Sequence, residues 1–480
     1  MIETAPSLRP SRQRRAELGQ FFTPQRTASF MAGMFPPAEA PCRLLDAGAG
    51  AGALTSAFLA RFGTADDRID VTAYEIDSSL HPILRGAVAH GTHAAEATRR
   101  IVADDFIEDS VDKLQFGGAR YTHAMLNPPY KKIANTSRHR LLLRQVGIET
   151  VNLYAAFVAL AIAQLEIGGQ LVAIIPRSFC NGPYYRPFRD FLLARAALRQ
   201  IHLFGSRTTT FKADDVLQEN VILRLERGAL PGPVVISTST DDTFDDLVSS
   251  IYPFDQIVLP DDPERCVHIP TSLTDVVNER FFAEGVTLAD LGLTVSTGPV
   301  VDFRLSDHLC AAPETGSVPL IYPLHVRNNG ISWPLSAIKK PNAIRANAAT
   351  ARWLYPNGFY CVVRRVSSKE ERRRIVAGVV DPQIFGDASM LGFENHLNVF
   401  HEQRHGLPAS IAYGLTVFLQ TTAVDTYIRR FNGHTQINAT DLRMLRYPRR
   451  DALTELGAWA MAQPQLDQTV IDLQVERILR

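Results

Sequence analysis

Residues 42–62, "CRLLDAGAGAGALTSAFLARF", run from an apolar stretch through Gly48, Gly50 and Gly52 into a segment with helical spacing. A strand that turns into a helix over so few residues needs positions free to take left-handed backbone angles. The join limits the fold, because a strand leading directly into a helix is the opening half of a βαβ unit. The pattern then repeats. "IDVTAYEID", "RRIVADDF", "YTHAMLNPPY", "QLVAIIP", "QIHLF" and "ENVILRLER" read as further strands. "LHPILRGAVAH", "NLYAAFVALAIAQLEIGG" and "FRDFLLARAAL" supply helices between them. Strands spaced by helices imply right-handed crossovers and an α/β fold with a mostly parallel sheet, covered on both faces.

The rhythm breaks near residue 230. "GALPGPV" is a Pro/Gly junction, an acidic stretch follows, and the remaining segments are shorter and rich in turn residues. With 480 residues, the chain suits roughly two to four domains. The divisions expected are an α/β domain over 1–230, a linker or subdomain over 231–284, and a mixed α+β domain over 285–480.

Composition is that of an ordinary globular protein, 46% hydrophobic and 21% charged. The five cysteines are scattered with no CxxC pair, which argues against a disulfide framework or a zinc site and fits a reducing cytoplasm. The Arg-rich N-terminus lacks the apolar core of a secretory signal, and no apolar run reaches membrane-spanning length. Formal charge is zero, yet basic residues cluster at Arg12, Arg14 and Arg15, at "VRRVSSKEERRR" and at "YIRRFNGHTQINATDLRMLRYPRR". Each run alone reads as a solvated face. Three together suggest a basic surface.

Chemistry concentrates where strands end. A glycine turn at a helix N-terminus suits the negative group of NAD, FAD or S-adenosylmethionine (SAM), or is only a tight turn. Glu75 closes the second strand, where an acid accepts from ribose hydroxyls. Asp105 and Phe106 follow the third, offering an acceptor for an adenine amine and a ring to stack on it. At the end of the fourth stands Asn127-Pro128-Pro129-Tyr130. Consecutive prolines fix two φ angles and remove two N–H donors, so neither helix nor central strand continues. The Asn127 oxygen and the Pro128 carbonyl present two acceptors to an amine, and Tyr130 offers a face to a planar base. The plainer reading is a strand-ending turn with a half-buried tyrosine.

These motifs carry a resemblance. "LGQFFTP" ahead of "LLDAGAGAG", then "NPPYKK", resembles the gamma-class N6-adenine DNA methyltransferases. "PRSFCNGPYYRPFRDF" and "IHLFGSRTTTFKADDVLQENVIL" are more similar still to the PstI/BsuBI-type modification enzymes. The likeness is dense over residues 14–226 and looser through "VSTGPVVDFRLSDHL" and "FNGHTQINATDLRMLRYP". It implies a Rossmann-like SAM-dependent domain followed by a target-recognition domain. It further implies that Phe22, Thr23 and Pro24 line the methionine end of SAM. Asp46, Gly48 and Gly50 form the loop beneath it, Glu75 holds the ribose, and Asp105 and Phe106 take the adenine. Asn127, Pro128, Pro129 and Tyr130 would receive a flipped adenine, with Phe211 packing on its other side. Ala47 stands where the family's loop carries proline, a position that stiffens the turn.

The resemblance implies double-stranded DNA as partner, SAM as cofactor with no metal, a CTGCAG-like palindrome, and a possible separate cognate restriction nuclease. Base reading would fall to the C-terminal half, with Arg304, Arg327, Gln436, Asn438 and Thr440 as candidates. Asn438 or Thr440 reads equally well as a helix N-cap. Cys180 reads as packing: cysteine attack belongs to 5-methylcytosine chemistry and a Pro-Cys pair that this sequence lacks. Two other functions remain in view. A methyltransferase acting on RNA or protein glutamine shares NPPY but usually lacks so large a C-terminal domain. A nicotinamide-dependent oxidoreductase would use "DAGAGAG" and leave NPPY without a purpose.

Overall fold

A computed structural model describes residues 22–37, 41–63, 68–89, 97–118, 120–205, 219–270, 285–327, 329–336, 338–367, 371–433, 435–463 and 465–479. The chain divides into two compact units, 1–269 and 270–480.

In the first unit, α1 (Gln25–Gly33) precedes β1 (Cys42–Ala47), α2 (Ala53–Phe62), β2 (Ile69–Tyr74), α3 (His81–Ala89) and β3 (Arg99–Val102). Then come α4 (Phe106–Phe116), β4 (Tyr121–Leu126), α5 (Arg138–Gln145), α6 (Leu153–Gln164), β5 (Leu165–Pro176) and α7 (Arg186–Arg195). Strands β6 (Ala196–Phe204), β7 (Asn220–Arg227), β8 (Val234–Ser239) and β9 (Val248–Tyr252) finish the sheet. Its order is β3-β2-β1-β4-β5-β7-β6-β8-β9. Neighbours from β3 to β5 run parallel, β7 is antiparallel to both β5 and β6, and β9 is antiparallel to β8. Strand order reverses between β1 and β4, and an open α/β sheet forms its ligand crevice beyond the carboxyl ends of strands at such a point. The register pairs Ala47 with Tyr74, Tyr74 with Val102, and Leu45 with Ala124. The residues that follow these four strands therefore gather along one edge.

Two segments depart from the sequence reading. The helix drawn through "LEIGG" stops at Gln164, and Leu165 already has extended angles. The residues from Leu165 instead join β5 through an irregular register in which Tyr121 faces Leu165 and His123 faces Gln170. The stretch after 230, expected as a linker or subdomain, supplies β8 and β9. Val234 and Ile236 are buried in the core of the first unit, so an alternating apolar pattern bounded by Pro and Gly becomes part of the sheet. Helix α6 is apolar nearly all round and almost wholly buried, as a helix packed on several sides must be.

The second unit holds a four-stranded sheet in the order Thr294–Thr297, Leu397–His401, Tyr360–Arg364, Ala377–Val380, and a five-stranded one that includes Ser317–Ile321 and Met390–Phe393. Helices α8 (Ala409–Leu419), α9 (Thr422–Phe431), α10 (Ala439–Arg443), α11 (Arg450–Met461) and α12 (Gln468–Leu479) follow. Helices α8 and α11 touch backbone to backbone. A Cβ on Gly414 would lie 2.0 Å from the Leu453 carbonyl oxygen, so no larger residue fits.

Candidate active site

A cleft opens at the carboxyl edge of the first unit's sheet, where β1 meets β4. Gly48 and Gly50 form its floor, with φ of 79° and 56°, and Phe22 packs beside Gly50. Glu75 borders it and also braces the floor. Its Oε2 accepts from the Gly50 amide at 2.8 Å and its Oε1 from the Asp77 amide at 2.7 Å. Burial raises the Glu75 carboxyl above its ordinary value against these two amides. A carboxylate oxygen can accept more than one hydrogen bond, so an acid at this place suits a ligand's hydroxyls.

Asp105 and Phe106 stand at the end of β3 on the rim of this cleft. Asp105 caps α4, its Oδ1 accepting from the Ile107 and Glu108 amides at 2.8 and 3.1 Å. Its Oδ2 accepts from His139 Nε2 at 3.0 Å. Burial alone would raise this carboxyl. The hydrogen bond and charge of His139, with the two amides, outweigh burial and hold it below the ordinary range. The same pairing raises His139 above the usual imidazole value.

Asn127 and Pro129 close the cleft from β4. Asn127 Nδ2 donates to Thr23 Oγ1 at 2.9 Å, and Tyr130 Oη lies 3.2 Å from both Asn127 Oδ1 and the Ile174 carbonyl. Burial pushes the Tyr130 phenol well up, so it stays protonated at neutral pH.

Thr23, Pro24 and Asp46 each have hydrogen-bond partners within the protein. Thr23 engages Asn127. Pro24 opens α1, its carbonyl accepting from Ala28 N at 2.9 Å. Asp46 is fully buried beneath the loop, bonded to the Thr55 hydroxyl at 2.6 Å, with its carboxyl pushed up to about 7 mainly by burial. Phe211 lies outside the described residues. Cys180 is buried and its thiol is pushed up to about 12 by burial, opposite to what a nucleophile needs.

Residues that no motif singled out complete the cleft. Ile76, exposed at 57%, and Phe157 supply apolar walls suited to a planar ring, and Phe106 packs against Phe157 at 4.9 Å between ring centres. An exposed isoleucine directly after the strand-ending acid was the available signal for the first. Phe157 is hidden within a uniformly apolar helix.

In the second unit, Arg304 and Arg327 are exposed, Arg304 lying over its neighbour Phe303. Gln436 and Asn438 come together through Arg365, whose Nη2 is 3.3 Å from Gln436 Oε1 and 3.2 Å from Asn438 Oδ1. Asn438 also starts α10, where its amide donates to Asp441 Oδ2 at 2.8 Å. Thr440 sits half-buried in that helix.

The parallel core with its reversed seventh strand, and a glycine floor facing an acid at the end of β2, define the SAM-dependent methyltransferase fold. Over nearly its whole length, the chain is 48% identical to the type II methyltransferase M.BsuBI of Bacillus subtilis, an alignment covering 98% of this chain and 96% of that one. It is 43% identical to M.PstI of Providencia stuartii, covering 97% and 94%. Residues 106–211 match the Eco57I restriction-modification methylase family. Among solved structures, the type IIL restriction-modification enzyme MmeI in complex with DNA superposes with a TM-score of 0.54, at 9% identity, covering 97% of this chain and 71% of that one; this is a likeness of fold. The protein belongs to the type II restriction-modification methyltransferases. Among the described residues, no helix is long and apolar enough to cross a membrane.

Proposed function

We propose that the protein methylates N6 of an adenine flipped out of double-stranded DNA, with SAM as methyl donor, as the modification half of a restriction system. The observation that carries this reading is that Asn127 borders the same cleft as the glycine floor, Glu75 and Asp105. The residues fit the cofactor. Gly48 and Gly50 hold left-handed angles that bring backbone to the cleft surface, and a carboxylate, Ile76 and Phe106 edge it in turn. Glu75 would accept from the ribose hydroxyls and Asp105 from the adenine amine. Bound there, SAM supplies an electrophilic methyl on a sulfonium.

The chain's own contribution is positioning. The Asn127 oxygen and the Pro128 carbonyl would each accept one N–H of the target amine. Two acceptors so placed favour a pyramidal nitrogen whose lone pair leaves ring conjugation and becomes available for attack. The fixed Pro128-Pro129 corner holds both acceptors before the base arrives, so little reorganisation remains at reaction. Tyr130 would stack on the base after it leaves the duplex, a step costing a few kcal/mol. Basic and amide groups of the second unit would read a CTGCAG-like palindrome, and a separate nuclease would cut unmodified copies of it.

The test is methylation of purified plasmid by the full chain with labelled SAM, followed by nucleoside analysis and sequencing of modified positions. N6-methyladenine at one repeated site is expected, and Asn127→Ala should abolish transfer while SAM still binds. Cytosine as the modified base, or near wild-type activity in Asn127→Ala, would refute the assignment.

A further inference from the structure

The contact that His139 makes with Asp105 has no place in the scheme above. Asp105 is fixed at both ends. Oδ1 is committed to the N-terminus of α4, and Oδ2 is held by an imidazole that arrives on a different helix, 34 residues along the chain. A carboxylate oxygen accepts two hydrogen bonds, so Oδ2 keeps one site, and Asp105 lines the cleft. An acceptor whose rotation is already arrested binds with less ordering cost than a free one.

The neighbouring residues repeat the connection. Arg138 Nη2 pairs with Glu108 Oε2 at 2.9 Å, so α5 is stitched to α4 at two adjacent points beside the cleft. Helix α5 starts eight residues after Tyr130, and the intervening segment is tied back at Ile133, whose amide donates to the Val151 carbonyl at 2.8 Å.

We infer that His139 is a positioning residue for the cofactor, orienting the Asp105 carboxylate to receive the adenine amine of SAM. This rests on the cofactor reading given above. The charged groups acting on the imidazole are Asp105 and Glu108 from α4 and Arg138 from its own helix. The two acids favour the imidazolium and the arginine opposes it. A charged donor to a carboxylate is roughly twice as strong as a neutral one. Cofactor affinity should therefore weaken as pH rises through the elevated His139 value, although the neutral ring can still donate from Nε2.

Calorimetric titration of the full-length protein with SAM and with S-adenosylhomocysteine, from pH 6 to 9 and without DNA, tests this. Wild-type affinity should fall several-fold across that range. His139→Gln keeps an N–H donor without the charge, so affinity at pH 8 should stay within about threefold and the pH slope should flatten. His139→Ala should bind about tenfold more weakly, with the loss appearing in KM for SAM and not in kcat. Thermal melting confirms that each variant is folded. A folded His139→Ala that binds both ligands like wild type, with the same pH profile, overturns the inference alone. Failure of the wild-type protein to bind either ligand overturns the cofactor reading with it.

Discussion

The side-chain nitrogen of Asn127 donates to the hydroxyl of Thr23 at 2.9 Å, across 104 residues of sequence. A carboxamide has two ends of nearly equal size, and only its oxygen can accept from a target amine. Tyr130 Oη, equally close to Asn127 Oδ1 and to the Ile174 carbonyl, has one proton for two acceptors. Thr23 thus holds the Asn127 nitrogen and helps fix which end of the amide presents its oxygen. Thr23→Val keeps the shape without the hydroxyl. It should lower kcat by about 10- to 100-fold, a loss of roughly 1.4–2.8 kcal/mol, with SAM affinity nearly unchanged. Thr23→Ser should recover most of the rate. If the loss falls on the SAM dissociation constant instead, Thr23 serves the cofactor's methionine end.

Two glycines of one loop should fail in different ways. At Gly52, with φ of 85°, an added Cβ would lie 2.5 Å from the Ala87 Cβ and 3.0 Å from Leu84 Cδ1 on α3. Left-handed strain and overpacking together put Gly52→Ala at about 2–4 kcal/mol of lost stability. At Gly48 the nearest atoms are 3.8 Å away, so Gly48→Ala carries only the backbone strain, about 1–2 kcal/mol. Its methyl would stand in the cleft. Gly48→Ala should therefore lose cofactor affinity out of proportion to its melting temperature, and Gly52→Ala should lose both. Paired calorimetry and thermal melts separate them; equal melting losses in the two variants would contradict this account.

How much of this was legible follows from where each residue's partners lie. Gly48, Glu75, Asp105 and Asn127 could be read because each ends an apolar run, and the parallel register carries strand ends to one edge. His139 could not, since its partner is 34 residues distant and nothing local marks it. Arg365 looked like one member of a basic cluster, and its partners Gln436 and Asn438 lie 71 and 73 residues away. Strands β8 and β9 were obscured by the Pro/Gly junction before them and the acidic residues between them. Those punctuate a sheet extension as readily as a linker.

Asp46 should make stability depend on pH. Its carboxyl is pushed up to about 7 in the folded chain, while the unfolded chain titrates at the ordinary value of 3.8. A group raised on folding contributes stability that is full below its unfolded value and lost as pH rises through its folded one. Ionised Asp46 is thus a cost above neutrality, with Oδ1 lacking a hydrogen-bond partner among the described residues. Asp46→Asn should match wild type near pH 4 and exceed it by on the order of 2–4 kcal/mol at pH 8. Denaturant unfolding at both values measures the difference. A constant offset between the two proteins at every pH would show that Asp46 ionises in place without penalty.

In the second unit, Arg365 draws the oxygens of Gln436 and Asn438 toward itself while its Nη1 donates to the Asn395 carbonyl at 2.7 Å. With both oxygens engaged, the amide nitrogens are the ends left to donate. In the major groove they would match the acceptors of guanine, adenine N7 or thymine O4, and would oppose the amino group of cytosine. If these residues read bases, Gln436→Ala and Asn438→Ala should each relax discrimination at a single base pair by about 1–3 kcal/mol. Arg365→Ala should relax both positions at once, and adding Gln436→Ala to it should change little further. Relative methylation rates on duplexes with single base-pair changes provide the measurement. A uniform loss across all of them, steeper at high salt, would mean that the cluster holds phosphate and carries no sequence information.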